Sequence, residues 1–437
     1  MKRQGKWEGV GLRPLLAPLG ILVSGVAVLL LKAHATGVQK APDLLSGFDL
    51  SFLPWLAAAF LLACFIVYLL GRRGEDAWLF AIAFFLASVG IVEIGRLKPA
   101  LFSAQLHWLV IGMVVFLLVV RFWARIERLL QYPYLLGLVC IVLLGLPMLF
   151  GTEIGGSKNW LVLGPISIQP SEFGKILILF FLAAYLSDHR RVLTLPSHHI
   201  LMLRLPPLRF IAPLVCIWGF AILMFVVERD LGSALLFFGI AVLMTYMATG
   251  SKSYVFLALS FFGAAAAVSY MLFNHVRVRV AIWLHPWSDP NGMAYQVVQS
   301  LFAFGTGGVW GTGFGFGHPG FIPEVHTDFI YAAIAEEWGL IGALMVFACY
   351  VLLFWRGIRI ALHQREEKKM LLAAGVSSLL VLQAFIIIAG VTKFLPLTGI
   401  TLPFVSYGGS SMLSCFILLG ILGSLSGERG ERSGRDG

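Results

Sequence analysis

Residues Leu101–Val120 read LFSAQLHWLVIGMVVFLLVV and contain no Lys, Arg, Asp or Glu. At 1.5 Å per residue, a helix over this stretch is about 30 Å long, the thickness of a bilayer's hydrocarbon core. A barrel strand would alternate apolar and polar residues over about ten positions, and this run does not. Outward from it, eleven further stretches have span length: 15–31, 52–70, 77–95, 134–150, 170–186, 210–227, 232–249, 254–273, 329–355, 371–391 and 404–423. The sixth of the twelve in chain order is the weakest, because its apolar part, Phe173–Leu186, is short and contains Lys175. The whole chain, 437 residues with 59% hydrophobic and 12% charged, excludes a soluble globule, where about a quarter of residues are charged. It also excludes disorder, which needs low hydrophobicity. The expected fold is all-α: a polytopic membrane protein with about 12 transmembrane helices.

The net charge of +10 suggests nucleic acid in a soluble protein, but here it reads first as topology, with no nucleic-acid partner expected. With the N-terminus in the cytoplasm, 22 of the 32 cations fall in the inner segments, 9 in the outer loops, and Lys175 lies inside a span. This bias places both termini in the cytoplasm and the loop after the ninth span outside the cell membrane. At the start, a basic segment, an apolar run and Ala33-His34-Ala35 imitate a cleavable signal. The 17-residue run exceeds the usual signal core and Lys32 intervenes, which favours an uncleaved first span. Each of the five cysteines falls in an apolar run with no CxxC, so neither a disulfide framework nor a structural metal is expected.

The large extracytoplasmic loop 274–328 is far longer than most connections, and loops of that length tend to be functional. It holds Arg277 and Arg279, then Pro286-Trp287-Ser288-Asp289-Pro290, then a helix-like stretch Ala294–Phe304. Tyr295, Val298, Leu301 and Phe302 share a helical face there, as in an interfacial helix. The glycine-rich run 305–320 follows no strand and is no nucleotide fingerprint; it reads as flexible backbone near a ligand or the bilayer surface. The second glycine-rich segment, Ser406–Ser411, reads as small residues that let helices approach closely.

Charges in or against membrane spans are costly and mark functional candidates. Glu172 and Lys175, three apart, share a helical face, either as an intrahelical ion pair or as the lining of a cavity. Arg277 and Arg279 point the same way only in an extended segment, where they would suit a diphosphate; the other reading is snorkelling cations. Asp289 stands before Pro290, so its backbone is pushed out of helical geometry, as a turn residue or as a pinned general base.

These segments resemble the SEDS family (FtsW, RodA and SpoVE), membrane glycosyltransferases that polymerise peptidoglycan from lipid II. The resemblance rests on Asn159-Trp160 through Gly164, Gln169-Pro170-Ser171-Glu172 with Lys175, and Asp230-Leu231-Gly232. It continues through Arg277 and Arg279 with Pro286–Pro290, Tyr295-Gln296, Pro323-Glu324 with His326-Thr327-Asp328-Phe329, Glu336-Glu337, and Leu402–Ser411. It implies a ten-helix core over 75–425, a two-helix N-terminal addition over 1–74, and a cytoplasmic tail, 426–437. It also implies that Asp289 is the essential aspartate and Asp230 a second important one. Glu172, Lys175, Gln296, His326 and Lys393 join the two arginines as substrate- or diphosphate-binding positions. The implied partners are lipid II, the membrane, and a class B penicillin-binding protein whose transpeptidase crosslinks the strands. His285 departs from the Asn or Asp that family members usually show before the Pro-Trp pair.

The expected chemistry is inverting: one base, Asp289, activates the C4 hydroxyl, while cations neutralise the departing undecaprenyl diphosphate. No organic cofactor is expected, and the metal is left open: a divalent cation, Mg or Mn, could share the neutralisation, though no ligand cluster marks one. The rival reading is a lipid II flippase, against which stand the absence of a repeated half and the one-sided placement of the unusual residues. A scaffold that only positions the transpeptidase is the third. The motifs are shared by elongation, division and sporulation members, and the Pro-Trp pair before Ser288-Asp289-Pro290 leans slightly toward the division and sporulation types.

Overall fold

The computed structural model describes residues 12–36, 52–154, 157–164, 166–194, 198–200, 203–205, 207–228 and 230–428. The basic N-terminal segment 1–11 and residues 429–437 of the expected cytoplasmic tail lie outside these residues. In chain order the helices and strands are α1 (Leu16–Thr36), α2 (Leu53–Arg73), α3 (Ala77–Leu97), α4 (Pro99–Ile126), α5 (Pro133–Phe150), β1 (Thr152–Ile154), β2 (Ser157–Leu163), β3 (Ile166–Ile168), α6 (Pro170–Thr194), β4 (His198–Ile200) and β5 (Leu203–Leu205). They continue as α7 (Leu208–Val227), α8 (Leu231–Thr249), α9 (Lys252–Leu272), α10 (Asn274–Leu284), α11 (Tyr295–Gly307), α12 (Ile330–Leu362), α13 (Glu367–Val391) and α14 (Gly409–Gly427).

Every one of the twelve apolar stretches is a helix, and among the described residues eleven helices are long and apolar enough to cross a membrane. The seventh stretch is α7, whose apolar run among the described residues, Phe210–Ala221, is shorter. The protein is an all-α polytopic membrane protein. Small antiparallel ribbons punctuate it: β1-β2-β3, with Leu161 opposite Ile168, and β4-β5.

Three expectations need correction. The twelfth helix begins at Gly409, not near 404, because residues 401–408 form a non-helical turn in which Phe404 has φ 66° and Ser406 Oγ accepts from Leu402 N. That turn is apolar because it is buried: a Cβ on Gly90 would meet the Val405 carbonyl at 2.2 Å. The segment carrying Arg277 and Arg279 is helix α10, not extended, since Asn274–Leu284 closes a regular helix directly after α9. And the α11 face that carries Tyr295, Val298, Leu301 and Phe302 is not uniformly turned outward as an interfacial face would be: Val298 is buried and Phe302 exposed.

The chain forms two compact units. One comprises residues 1–123, 290–356 and 401–437; in it α3 is buried on nearly every side by α1, α2 and α14. Gly25 of α1 packs on Val92, so the first helix is an integral part of this core. The other comprises residues 124–289 and 357–400, where α6, α8 and α13 pack mutually and α5, α7 and α9 surround them.

Candidate functional site

In the unit formed by 124–289 and 357–400, α10 is the organising element. Arg277 turns back to donate to the carbonyls of Tyr270 (2.9 Å) and Met271, the last turn of α9, where a cation complements the helix dipole. Arg279 donates to Leu397 O at 3.5 Å, and Trp283 Nε1 to Lys393 O at 3.2 Å. On a helix, residues two apart diverge by about 200°. The two guanidiniums therefore do not converge. Lys393, half-buried with φ 63°, belongs to the segment on which α10 docks.

After α10 the chain turns through a single 3₁₀ turn, Pro286–Ser288, closed by Ser288 Oγ donating to His285 O at 2.7 Å. Pro286 is buried and anchors the turn. Asp289 leaves it at φ −144°, ψ 67°, outside helical geometry as Pro290 dictates, and is exposed.

Glu172 and Lys175 are inside this unit. Nζ of Lys175 lies 2.5 Å from Glu172 Oε2 and 3.0 Å from Gln383 Oε1 on α13, and the lysine is 2% exposed. This is a buried, neutralised pair, with its charge directed between helices. Asp230 caps α8, accepting from Ser233 N (2.9 Å), Ser233 Oγ (2.8 Å) and Asn159 Nδ2 (2.6 Å). It thereby fastens β2 to the start of α8. Beside it, burial and then the Asp230 charge push the Glu228 carboxyl up to about 8. A cavity of about 920 Å³ opens between α8, α9, α10 and α13, lined by Leu235, Phe238, Leu259, Phe262 and Phe385, with Arg279 among its cations.

In the other unit the principal polar centre joins α3 to α12. Arg96 Nε lies 2.8 Å from Glu337 Oε1, and Arg96 Nη2 donates to Gly317 O at 2.7 Å. Glu93, one turn earlier on α3, is 0% exposed, with Trp338, Arg96 and Glu337 as its polar neighbours. The pair Glu93 and Arg96 was missed in the sequence, although Glu93 is the single acid in the stretch 77–95 and stands three residues from a cation, as Glu172 does. His326 is buried; its carbonyl accepts from Tyr407 N at 2.9 Å, and its Nε2 is 3.6 Å from Glu324 Oε2. Burial, then Lys98, lowers its pKa below the ordinary histidine value, so its imidazole is neutral at pH 7. Gln296 is half-buried on α11.

The glycine-rich run is not loose backbone, as the sequence suggested. Gly339 breaks α12 at φ 69°, ψ −169° and opens two rungs of its ladder. The amides of Leu340 and Ile341 donate instead to Gly308 O (2.9 Å) and Val309 O (3.3 Å). The carbonyls of Glu336 and Glu337 accept from Thr312 N (2.9 Å) and Gly313 N (3.0 Å). The Glu336 and Glu337 side chains add bonds to the amides of His318 (2.8 Å) and Gly315 (2.9 Å). Glycine is required because a Cβ on Gly311 would meet Glu337 O at 2.2 Å. Likewise Gly409 packs on the Trp108 indole, as expected for close helix approach.

These features define a polytopic helical membrane protein with charged centres buried between spans, an exposed aspartate on a rigid turn, and an apolar cleft of lipid size. The cell cycle protein family FtsW/RodA/SpoVE has a model that matches residues 77–431, and the chain belongs to that family. The peptidoglycan glycosyltransferase RodA of Mycobacterium tuberculosis is 39% identical over 426 residues, covering 94% of this chain and 89% of that protein. That coverage reaches into α1 and α2, which the family model leaves out. Stage V sporulation protein E of Bacillus subtilis is 37% identical over 297 residues, covering 67% of this chain and 78% of its own. Among solved structures, one described as structural coordination of polymerization and crosslinking by a peptidoglycan synthase complex matches with TM-score 0.65 and 26% identity, over 82% of this chain and 99% of that one. The rod shape determining protein RodA of Thermus thermophilus shares the fold, with TM-score 0.59 at 24% identity, over 82% and 98% of the two chains.

Proposed function

We infer that this chain, a peptidoglycan glycosyltransferase like its relatives, polymerises lipid II by single-displacement transfer with Asp289 as general base. The observation that carries this reading is the joining of two features by one short helix. Arg279 on α10 lines the apolar cavity of about 920 Å³, and α10 runs directly into the turn that holds Asp289. A long polyprenyl chain fills an apolar cleft between spans, and a diphosphate suits the guanidinium beside it. The Asp289 carboxylate takes the proton of the acceptor C4 hydroxyl as its oxygen bonds to the donor C1. The bond from C1 to the diphosphate breaks, and the electron pair leaves with the lipid diphosphate. Arg277 holds α10 against α9 and so acts on orientation, while Arg279 is the cation in reach of the leaving group.

Among the described residues no group of three or more His, Cys, Asp or Glu could hold a metal ion, and a divalent cation, Mg or Mn, sharing the neutralisation would rest on fewer carboxylates together with the substrate diphosphate. Topology follows the cation bias: termini in the cytoplasm and Asp289 on the extracytoplasmic face. A single-pass class B penicillin-binding protein is the proposed partner. The breadth of the match to RodA favours an elongation role, which localisation to the side wall would support.

The test is polymerisation of fluorescent lipid II by purified protein. Asp289→Ala and Asp289→Asn are expected to lose about 10²–10⁴-fold of the rate, the usual worth of a general base. Folded mutant that polymerises at near wild-type rate removes Asp289 from this role. Product formed in detergent, where there are no two sides, separates an enzyme from a flippase.

A further inference from the structure

The clasp on α12 has an outward side that the transfer reaction does not use. Residues 290–323 contain no Asp, Glu, Lys or Arg, a run of 34 in a chain that is 12% charged. Within it Val309, Trp310 and Phe316 are exposed, Trp310 at 82% and Phe316 at 78%. A loop in water has no reason to shed every charge while presenting its aromatics.

Its depth follows from α12. The loop is hydrogen-bonded to Leu340 and Ile341, which are themselves exposed and continue into the exposed apolar residues Leu344 and Phe347. At the far end of the helix, Arg356 bonds Asp76 at 2.7 Å and marks the polar boundary there. From Arg356 back to Leu340 is 16 residues, about 24 Å of helix, against a hydrocarbon core of about 30 Å. The loop therefore sits beside α12 just inside the opposite edge of the hydrocarbon, where tryptophan is enriched. Irregular backbone is tolerated at that depth only if its polar groups are satisfied within the protein. Here the Gly308 and Val309 carbonyls and the Thr312 and Gly313 amides are met by the opened rungs of α12, and the Gly315 and His318 amides by the carboxylates of Glu337 and Glu336.

We propose that residues 308–317 form a re-entrant loop seated in the glycerol–acyl boundary of the bilayer, with Trp310 and Phe316 in lipid. The loop also covers the Arg96–Glu337 ion pair, so that lipid meets aromatic rings and glycine backbone and not the buried charges.

The experiment uses the full chain in nanodiscs of phosphatidylcholine brominated at defined acyl positions, and a benzophenone amino acid at Trp310 or Phe316 in cells. Quenching of tryptophan fluorescence is expected to be stronger with bromine near the carbonyls than at the chain ends. In Trp310→Phe the quenched signal should fall by more than the one-twelfth share of an average tryptophan among 12. Because the side chain is exposed, this substitution leaves the fold intact. Irradiation is expected to give phospholipid adducts at both positions, as at the reference position Leu344. Adducts to another protein, no lipid adducts while Leu344 gives them, or an unchanged quenched signal in Trp310→Phe would each overturn the proposal.

Discussion

Three glycines within seven residues allow the clasp on α12 to be tested by one small atom at a time. Gly305 lies inside α11 with open space at its Cβ position. Gly305→Ala should be neutral or stabilise by up to about 1 kcal/mol, the helix propensity difference. Gly308 also has open space but sits at φ 52°, ψ −143°, a region essentially reserved for glycine. Gly308→Ala should cost about 1–3 kcal/mol of strain. Gly311 combines φ 82° with a Cβ that would lie 2.2 Å from Glu337 O and 2.6 Å from Gly339 N, both backbone atoms that cannot rotate away. Relief requires the loop to lift, which unpairs Thr312 N and Gly313 N from their carbonyls at about 1–3 kcal/mol for each buried group left unmet. Gly311→Ala should thus cost about 3–9 kcal/mol, strain and lost bonds together. The midpoint of thermal unfolding in detergent should fall in the order Gly305→Ala, Gly308→Ala, Gly311→Ala. Equal midpoints for the last two would refute the clasp as the reason for glycine at 311.

Lys175→Met leaves the Glu172 carboxylate buried without its cation, which should cost about 3–5 kcal/mol, and adding Glu172→Gln should restore most of it. A single mutant as stable as wild type would contradict the buried pair. Glu75, between α2 and α3, is pushed up to about 7 by burial, against the pull of Arg73. The folded state then holds this proton more tightly than the unfolded chain, so stability is full below about 4.5 and is lost as pH rises through about 7, by roughly 3 kcal/mol. Glu75→Gln should remove that slope, and parallel stability curves for the two proteins would refute it.

The helices were legible because a span must be a long apolar run, and nothing but a helix satisfies its backbone in lipid. The turn at Asp289 was legible too, since Pro286 and Pro290 act through local sterics. What stayed hidden depends on distant neighbours. Periodicity gives no way to know that α10 closes as a helix and separates Arg277 from Arg279, or that apolar Phe404 and Val405 belong to a buried turn. Glycines 305–320 looked permissive because their reason, the broken ladder at Gly339, lies some twenty residues away. Lys175 read equally as a buried pair or a cavity wall until Gln383, from another span, closed around it.

The discontinuity of the first unit sets a schedule for synthesis. Arg96 leaves the ribosome about 240 residues before Glu337, its partner in the finished protein. At about 5–20 residues per second, that is roughly 12–50 s in the membrane. Throughout that interval the acid nearest in sequence to Arg96 is Glu93, three residues back on the same helix, the spacing at which opposite charges meet. In the finished fold Arg96 pairs with Glu337, and Glu93 is enclosed beside them with Trp338 as a neighbour. In the completed protein a fully buried acid stands one turn from that arginine, at the spacing a nascent helix would use to give its cation a companion.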